Sequence, residues 1–290
     1  MLQGKFEITD DDIKRVERIF FPEGGSFSDA KNERVNFIKC IDKSIHLQAC
    51  PGSGKTTALL AKLYLLSEKM PFENNRGICV LTHTNVAIDI IKKKLGDKAN
   101  KLLSYPNFFG TIQSFVDRYL AIPFYTKLFS HKPLYIDTEI QKDRIFKTYF
   151  LKDIPKEIFN KAKQFLIAHD IADNYTFCKK DSEYILVYSD TKKNIKIKKP
   201  KSKNDWDDDT KTQISNALIK LKLKVLKQDR VLSFDDAYDF AKMYLMKYPN
   251  LKNIFSSRFK YVFIDEAQDT SSIQKEIIES LFNENVIIQW

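Results

Sequence analysis

The sequence predicts an α/β fold: a parallel sheet flanked by helices and interrupted by a mostly α-helical insertion. Three observations point there. Toward both ends of the 290-residue chain, short apolar runs alternate with helical patterns, as strand–helix units of a parallel sheet do. One apolar run leads into a glycine-containing loop, and Lys55-Thr56 then opens a helix. From about Ala121 to Arg230 helical patterns dominate instead. That block helps put 210 residues between position 55 and position 265, where an uninterrupted domain of usual size needs roughly half that or less.

The elements follow in order. Thr9 or Asp10 caps a helix to Phe20 that carries acids in its first turn. Pro22 to Ser28 reads as a loop and Asp29 to Ile41 as a second helix. Ile45 to Gln48 reads as a strand, and Ala58 to Lys69 as the body of the helix after the loop. Gly77 to Thr82, G-I-C-V-L-T, is a continuous apolar run, which suits a strand buried on both faces of a parallel sheet. Asn85 to Leu95 follows as an amphipathic helix stopped by Lys92, Lys93, Lys94 and Gly96. Phe108 to Thr111 is a third short strand and Ile112 to Leu120 a helix. Within the insertion the clearest helices are Glu139 to Phe150, Pro155 to His169 and Ile214 to Lys227. Tyr184 to Tyr188 and Ile195 to Lys199 read as a hairpin. Tyr261 to Ile264 is again apolar, and Val286 to Gln289 starts one more strand.

Ala49, Cys50, Pro51, Gly52, Ser53, Gly54, Lys55, Thr56 and Thr57 spell A-C-P-G-S-G-K-T-T between strand and helix. That layout is a phosphate-binding loop: inward N–H groups wrap a phosphate chain, and glycines let the backbone approach. Lys55 is placed to neutralise β- and γ-phosphates and the Thr56 hydroxyl to ligate Mg2+. Ala49 stands where the strict pattern has glycine. The plainer alternative is a helix cap that merely contains Gly and Lys.

Composition narrows the function. The net charge is +10 and the pI about 9.2, which suits a polyanionic partner. Cys40, Cys50, Cys79 and Cys178 are scattered, so they read as reduced thiols of a cytoplasmic protein, not as a disulfide framework or zinc site. No run of about 18 apolar residues occurs, so no membrane span is expected. The N-terminus carries acids where a signal peptide needs an apolar stretch. Seven lysines crowd positions 192 to 203, followed by Asp205, Asp207, Asp208 and Asp209. That block reads either as a solvated, mobile surface loop or as a nucleic-acid contact.

Asp265 to Thr270, D-E-A-Q-D-T, follows an apolar strand, and ligands of an open parallel sheet bind at the carboxyl ends of its strands. Asp265 is placed to hold Mg2+ and Glu266 to polarise an attacking water. Alone this string is a common strand end; paired with the upstream loop it reads as the acidic half of one site.

Five stretches in order then resemble the UvrD/Rep-type superfamily 1 DNA helicases, N-terminal half. They are A-C-P-G-S-G-K-T-T; V-L-T-H-T-N-V-A-I-D-I-I from Val80; G-T-I-Q-S-F from Gly110; S-F-D-D from Ser233; and R-F-K-Y-V-F-I-D-E-A-Q-D-T-S-S-I-Q from Arg258. The resemblance implies an ATP-dependent, 3′-to-5′ helicase ATP-binding domain that uses ATP and Mg2+ and binds single-stranded DNA. It implies a discontinuous RecA-like domain, residues 1–120 plus 231–290, with residues 121–230 as the helical accessory insertion. It implies that Gln268 senses the γ-phosphate, and that Thr82, His83, Thr84, Asn85, Thr111 and Ser114 lie along the DNA track. Departures are visible. Glu33 stands where a glutamine reads adenine and can only accept, unless Asn32 serves. His83 stands where a stacking aromatic is common, and Gln113 replaces a usual histidine. The family continues past Val286–Gln289 into a Gly-Asp…Gln motif and a second RecA-like domain. The expectation is therefore a truncated chain that binds nucleotide and DNA but hydrolyses slowly alone, or one whose protein partner supplies the second domain. A competing reading is a non-catalytic, nucleotide-gated DNA-binding module. A transporter-type ATPase would need a Ser-Gly-Gly signature ahead of the acidic strand; I-F-S-S-R-F-K-Y stands there.

Overall fold

A computed structural model describes residues 7–28, 32–46, 54–180, 183–202 and 204–290. The chain divides into two compact units, residues 1–115 with 245–290, and residues 116–244.

The first unit is built on a four-stranded sheet in the order Phe108–Thr111, Gly77–Thr82, Phe259–Ile264, Ile287–Gln289, every pair parallel. All six residues of Gly77–Thr82 are buried, which is why the run lacks polar alternation. Beyond the last strand, Ile45 makes a parallel bridge to Gln289, with Ile45 N–H donating to the Ile288 carbonyl at 3.2 Å. The expected strand Ile45–Gln48 thus begins in the sheet; positions 47 and 48 lie outside the described residues. Helix Lys55–Glu68 packs on this sheet and is apolar nearly all round: Ala58, Leu60, Ala61, Leu63 and Leu66 are fully buried beside Ile78, Val80 and Phe263. Each such leucine contributes on the order of 2 kcal/mol.

Helix Asp10–Phe20 has a complete capping box. Thr9 Oγ1 accepts from Asp12 N–H at 3.2 Å and the Asp12 carboxylate accepts from Thr9 N–H at 3.0 Å. The second helix spans Glu33–Lys39, shorter than the 29–41 expected; Asn32 sits at its start in a left-handed conformation, and positions 29 to 31 lie outside the described residues.

The 116–244 unit is mostly helical, with Ile122–Phe129, Thr138–Lys147, Lys156–His169 and Asp208–Lys224 as its main helices. Its core joins Ile145, Phe159, Phe165, Leu166, Tyr175, Ile214, Leu218 and Leu221. The hairpin differs from expectation. Glu183–Tyr188 pairs antiparallel with Tyr175–Lys180, while its other edge carries a short antiparallel bridge from Val187 to Asn194, with Tyr188 N–H donating to the Lys193 carbonyl at 2.9 Å and Ile195 N–H to the Leu186 carbonyl at 3.0 Å. Asp207, expected in a solvated acidic block, is a helix cap whose carboxylate accepts from Thr210 N–H at 2.8 Å. Lys192 of the lysine block pairs with Asp239 at 2.7 Å. Among the described cysteines Cys40, Cys79 and Cys178 are free thiols. No described helix is long and apolar enough to cross a membrane.

Candidate functional site

The sheet brings its strand ends to one edge. Thr82 and Thr111 stand in register. Asp265 follows Ile264, the partner of Leu81, and its N–H donates to the Leu81 carbonyl at 2.9 Å. Where a parallel ladder stops, loops and helix N-termini open toward ligands.

Helix Lys55–Glu68 starts at this edge. Gly54 precedes it at φ +82°, a backbone that a Cβ disfavours. Lys55 and Leu59 line a cavity whose other wall is Asp265, Glu266 and Gln268. The Thr56 hydroxyl donates to the Asp265 carboxylate, and the Lys55 ammonium attracts it. Thr56 and Asp265, 209 apart in the chain (265 − 56), are therefore in contact, and Lys55 and Asp265 line one cavity. Thr57 is half-buried in the same first turn. Ala49, Cys50, Pro51, Gly52 and Ser53 lie outside the described residues.

Asp265 is buried, 7% exposed. Burial, and then the neighbouring Glu266 carboxylate, push its pKa above the ordinary carboxylate value. The Glu266 N–H, Lys55 and Thr56 pull the other way without cancelling this. Glu266 sits in the left-handed region at φ 56° and ψ 48°, at a cost of roughly 1–2 kcal/mol for a residue with a Cβ. Its carboxylate accepts a hydrogen bond from the Gln268 side-chain amide. Mg2+ takes one or two protein oxygens and fills its octahedron with phosphate and water oxygens. The touching Thr56 hydroxyl and Asp265 carboxylate are a donor set of that kind, and among the described residues no cluster of three or more His, Cys, Asp or Glu forms.

A second constellation lies along the same edge. Thr84 and Asn85 are exposed at the start of helix Asn85–Leu95. Thr111 Oγ1 accepts from Ser114 N–H at 3.0 Å, and Ser114 Oγ donates to the Thr111 carbonyl at 2.8 Å; this pair caps the short helix Ile112–Val116. Gly110 has to be glycine here, since a Cβ would lie 2.7 Å from Ser114 Oγ and 2.6 Å from the Phe108 ring. Thr82 is different: its side chain is buried and its hydroxyl donates to the Thr84 carbonyl at 2.9 Å. His83 contacts Thr270 Oγ1 at 3.1 Å, which joins this loop to the segment just after Asp265. Gln113 is half-buried.

Several lining residues escaped sequence reasoning. Phe37, Gln289 and Trp290 face the same cavity. The Trp290 ring stacks on His46 at 5.7 Å between centroids and 6° between planes. Gln289 stands at the carboxyl end of its strand, so the strand-end rule that selected Asp265 also points to it. Arg34 lies against Gly54, its guanidinium 3.4 Å from where a Cβ would stand; Glu33 beside it opens helix Glu33–Lys39, and Asn32 makes no capping bond with its side chain.

Comparison with known proteins agrees with this architecture. The UvrD/REP helicase N-terminal domain family matches residues 30–288. A probable DNA helicase II homolog of Mycoplasma capricolum subsp. capricolum is 27% identical over 257 residues, covering 86% of this chain and 32% of that protein. The corresponding Mycoplasma genitalium protein is 28% identical over 239 residues, covering 81% and 31%. The Gabija protein GajB of Bacillus cereus is 25% identical over 283 residues, covering 84% and 39%. The chain spans about a third of the length of these relatives. With sheet, strand-end site and sequence match in agreement, the chain belongs to the UvrD/REP helicase N-terminal domain family.

Proposed function

We propose that this chain binds ATP with magnesium at the sheet edge and single-stranded DNA beside it, as the ATP-binding domain of a 3′-to-5′ helicase. One observation carries the reading: Lys55 lines a single cavity with Asp265, Glu266 and Gln268, and Thr56 is hydrogen-bonded to Asp265. Lys55 would hold the β- and γ-phosphates at the start of its helix, where free backbone N–H groups favour an anion. Thr56 and Asp265 hold the metal, which when bound neutralises charge as the terminal phosphoryl group departs. Glu266 orients a water and takes up its proton. Gln268, bonded to Glu266, reports the terminal phosphate to the segment that reaches Thr270 and, through it, His83.

On the DNA side, Thr84, Asn85, Thr111 and Ser114 offer hydroxyl and amide groups at two helix starts, a chemistry suited to phosphates. His83 supplies a ring beside them. Thr82, whose hydroxyl is buried, holds the loop. The expected family polarity and the participation of a protein partner belong to this same reading.

The test is Lys55→Ala, read by polarisation of a fluorescent ATP analogue. Loss of one charge-assisted phosphate contact weakens binding by roughly ten- to a hundredfold. Unchanged nucleotide affinity would remove the assignment of the loop.

A further inference from the structure

The helix that carries Lys55 carries a second lysine that the nucleotide reading leaves unused. Lys62 stands seven residues after Lys55 in helix Lys55–Glu68, two turns along the same face and roughly 10 Å away along the axis. Leu59, between them on that face, lines the cavity with Lys55. Lys62 is fully buried. Its ammonium donates to the Phe37 carbonyl at 2.7 Å, the Cys40 carbonyl at 2.5 Å and Gln289 Oε1 at 2.6 Å. It also lies 4.4 Å from the centre of the Phe37 ring and 5.7 Å from that of Phe263. Phe37, Phe263 and Gln289 all line the same cavity as Lys55 and Asp265.

An ammonium has three donors and no acceptor, and these three oxygens use all of them. The two carbonyls belong to the end of helix Glu33–Lys39, and Gln289 to the last strand of the sheet. The charged form therefore ties two separate elements into one cavity wall. A neutral amine keeps only two donors, so loss of the proton leaves one oxygen of this wall without its partner. The remaining charged and titratable neighbours do little to hold the proton. Cys40 and Asp42 favour it without offsetting burial, which pulls the pKa down to about 7. The Tyr261 hydroxyl of the adjacent strand donates to the Ile41 carbonyl instead, and Lys55 on the same helix is a like charge.

We propose that Lys62 is a positioning residue of the nucleotide site and that nucleotide binding draws a proton onto it. Charged, it fixes Gln289 and the Phe37 segment in the cavity wall and attracts the phosphates along the helix face; neutral, it loses both effects. Since this rests on the nucleotide reading, it adds a regulation to that site: affinity follows acidity. The bound polyanion raises the affinity of Lys62 for its proton, so nucleotide binding is tightest below the pKa of the free protein and weakens as pH rises through the higher value of the complex. At about 10 Å and an effective dielectric constant near 20, one ammonium–phosphate charge pair is worth roughly tenfold in affinity.

The experiment uses the full 290-residue chain. Polarisation of a fluorescent ATP analogue gives affinities from pH 6 to pH 9 for the parent, Lys62→Met and Lys62→Gln. Titration of the ligand's own phosphates is common to all three and cancels in the ratio of parent to variant. That ratio falls by roughly tenfold from the acidic to the alkaline end. A lysine that only supports the fold would change affinity by one factor at every pH. Lys62→Gln retains two donors for the carbonyls and so is the milder neutral replacement; circular dichroism checks that each variant is folded. Calorimetry of the parent at pH 8, in two buffers of different ionisation enthalpy, needs no variant and counts on the order of a few tenths of a proton taken up per nucleotide. A ratio that does not change with pH, or no proton uptake by the parent, would overturn the proposal. Lys55→Ala separates the two readings. A flat ratio with binding that still depends on Lys55 removes the Lys62 link alone, whereas binding indifferent to Lys55 removes the nucleotide site itself.

Discussion

Asp236→Ala strikes the most connected buried charge of the 116–244 unit. Asp236 is 4% exposed and Lys222 fully buried, and their charged atoms are 3.1 Å apart. The same carboxylate oxygen accepts from Gln141 Nε2 at 2.6 Å and from Ser233 N–H at 2.9 Å. Ser233 Oγ in turn accepts from Asp236 N–H at 3.1 Å. Ser233 and Asp236 therefore form a capping box at the start of helix Phe234–Lys247, which gives the S-F-D-D string a structural job. Removing the carboxylate strands the Lys222 ammonium, held otherwise by Gln141 Oε1 at 2.6 Å. Breaking one side of a buried pair costs about 3–5 kcal/mol, and losing the cap adds about 1. With a urea slope near 2 kcal/mol/M, the midpoint falls by about 2–3 M. The two tryptophans divide the readout, Trp206 in this unit and Trp290 in the other, so a Trp290→Phe background isolates it. Lys222→Met with Asp236→Leu recovers most of the loss, to within about 2 kcal/mol. The sign with pH follows from the pairing. Asp236 titrates below the ordinary carboxylate value because Lys222, Gln141 and Ser233 outweigh its burial. Its stabilisation is present above the unfolded pKa and is lost as pH falls through the lower folded value. A midpoint shift under about 0.5 M for Asp236→Ala would refute this reasoning.

Two further outcomes follow from other residues. Lys62 is fully buried in helix Lys55–Glu68 and donates to the Phe37 and Cys40 carbonyls and to Gln289 Oε1; burial pulls its pKa down to about 7. Between about 7 and the unfolded value of 10.5 the unfolded chain binds more protons, so this lysine makes stability rise with pH across that window, and Lys62→Met flattens the rise in urea melts taken from neutral to alkaline pH. Gly110→Ala drives a Cβ into Ser114 Oγ and the Phe108 ring and lowers thermal stability by about 1–3 kcal/mol, read by calorimetry; a variant as stable as the parent would contradict the packing described.

Much of the sheet was legible because burial on both faces leaves a mark in sequence. Gly77–Thr82 lacks polar alternation and every residue is buried, and of the two caps the sequence offered for the first helix, Thr9 and Asp10, the structure uses Thr9. The acidic pair at 265 and 266 was legible through its place after a strand. What escaped had weak or misleading local signals. Tyr175–Lys180 was missed because its outer half, Cys178 to Lys180, is solvated, exposed and polar, so no apolar run marks it. Ile195 and Ile197 alternate with lysines as a strand would, yet among the described residues the pairing on that side stops at the Asn194 bridge and the bond from Ile195 N–H to the Leu186 carbonyl. The acids before Asp208–Lys224 read as surface charge, and only the bond from Thr210 N–H identifies Asp207 as a cap. Lys62 and Lys222 invert the usual rule for charged residues, each buried because several acceptors surround its ammonium. Those acceptors come from remote segments, which no local pattern contains.

If Thr56 and Asp265 act together on one metal–nucleotide cluster, nucleotide affinity depends on magnesium through that pair. ATP binding is titrated with and without Mg2+ in the parent chain and in Asp265→Asn. Mg2+ then tightens binding to the parent by roughly tenfold or more, the worth of one charge-assisted contact, and this increment disappears in Asp265→Asn while metal-free binding persists. An Asp265→Asn chain that keeps the full magnesium increment would contradict it.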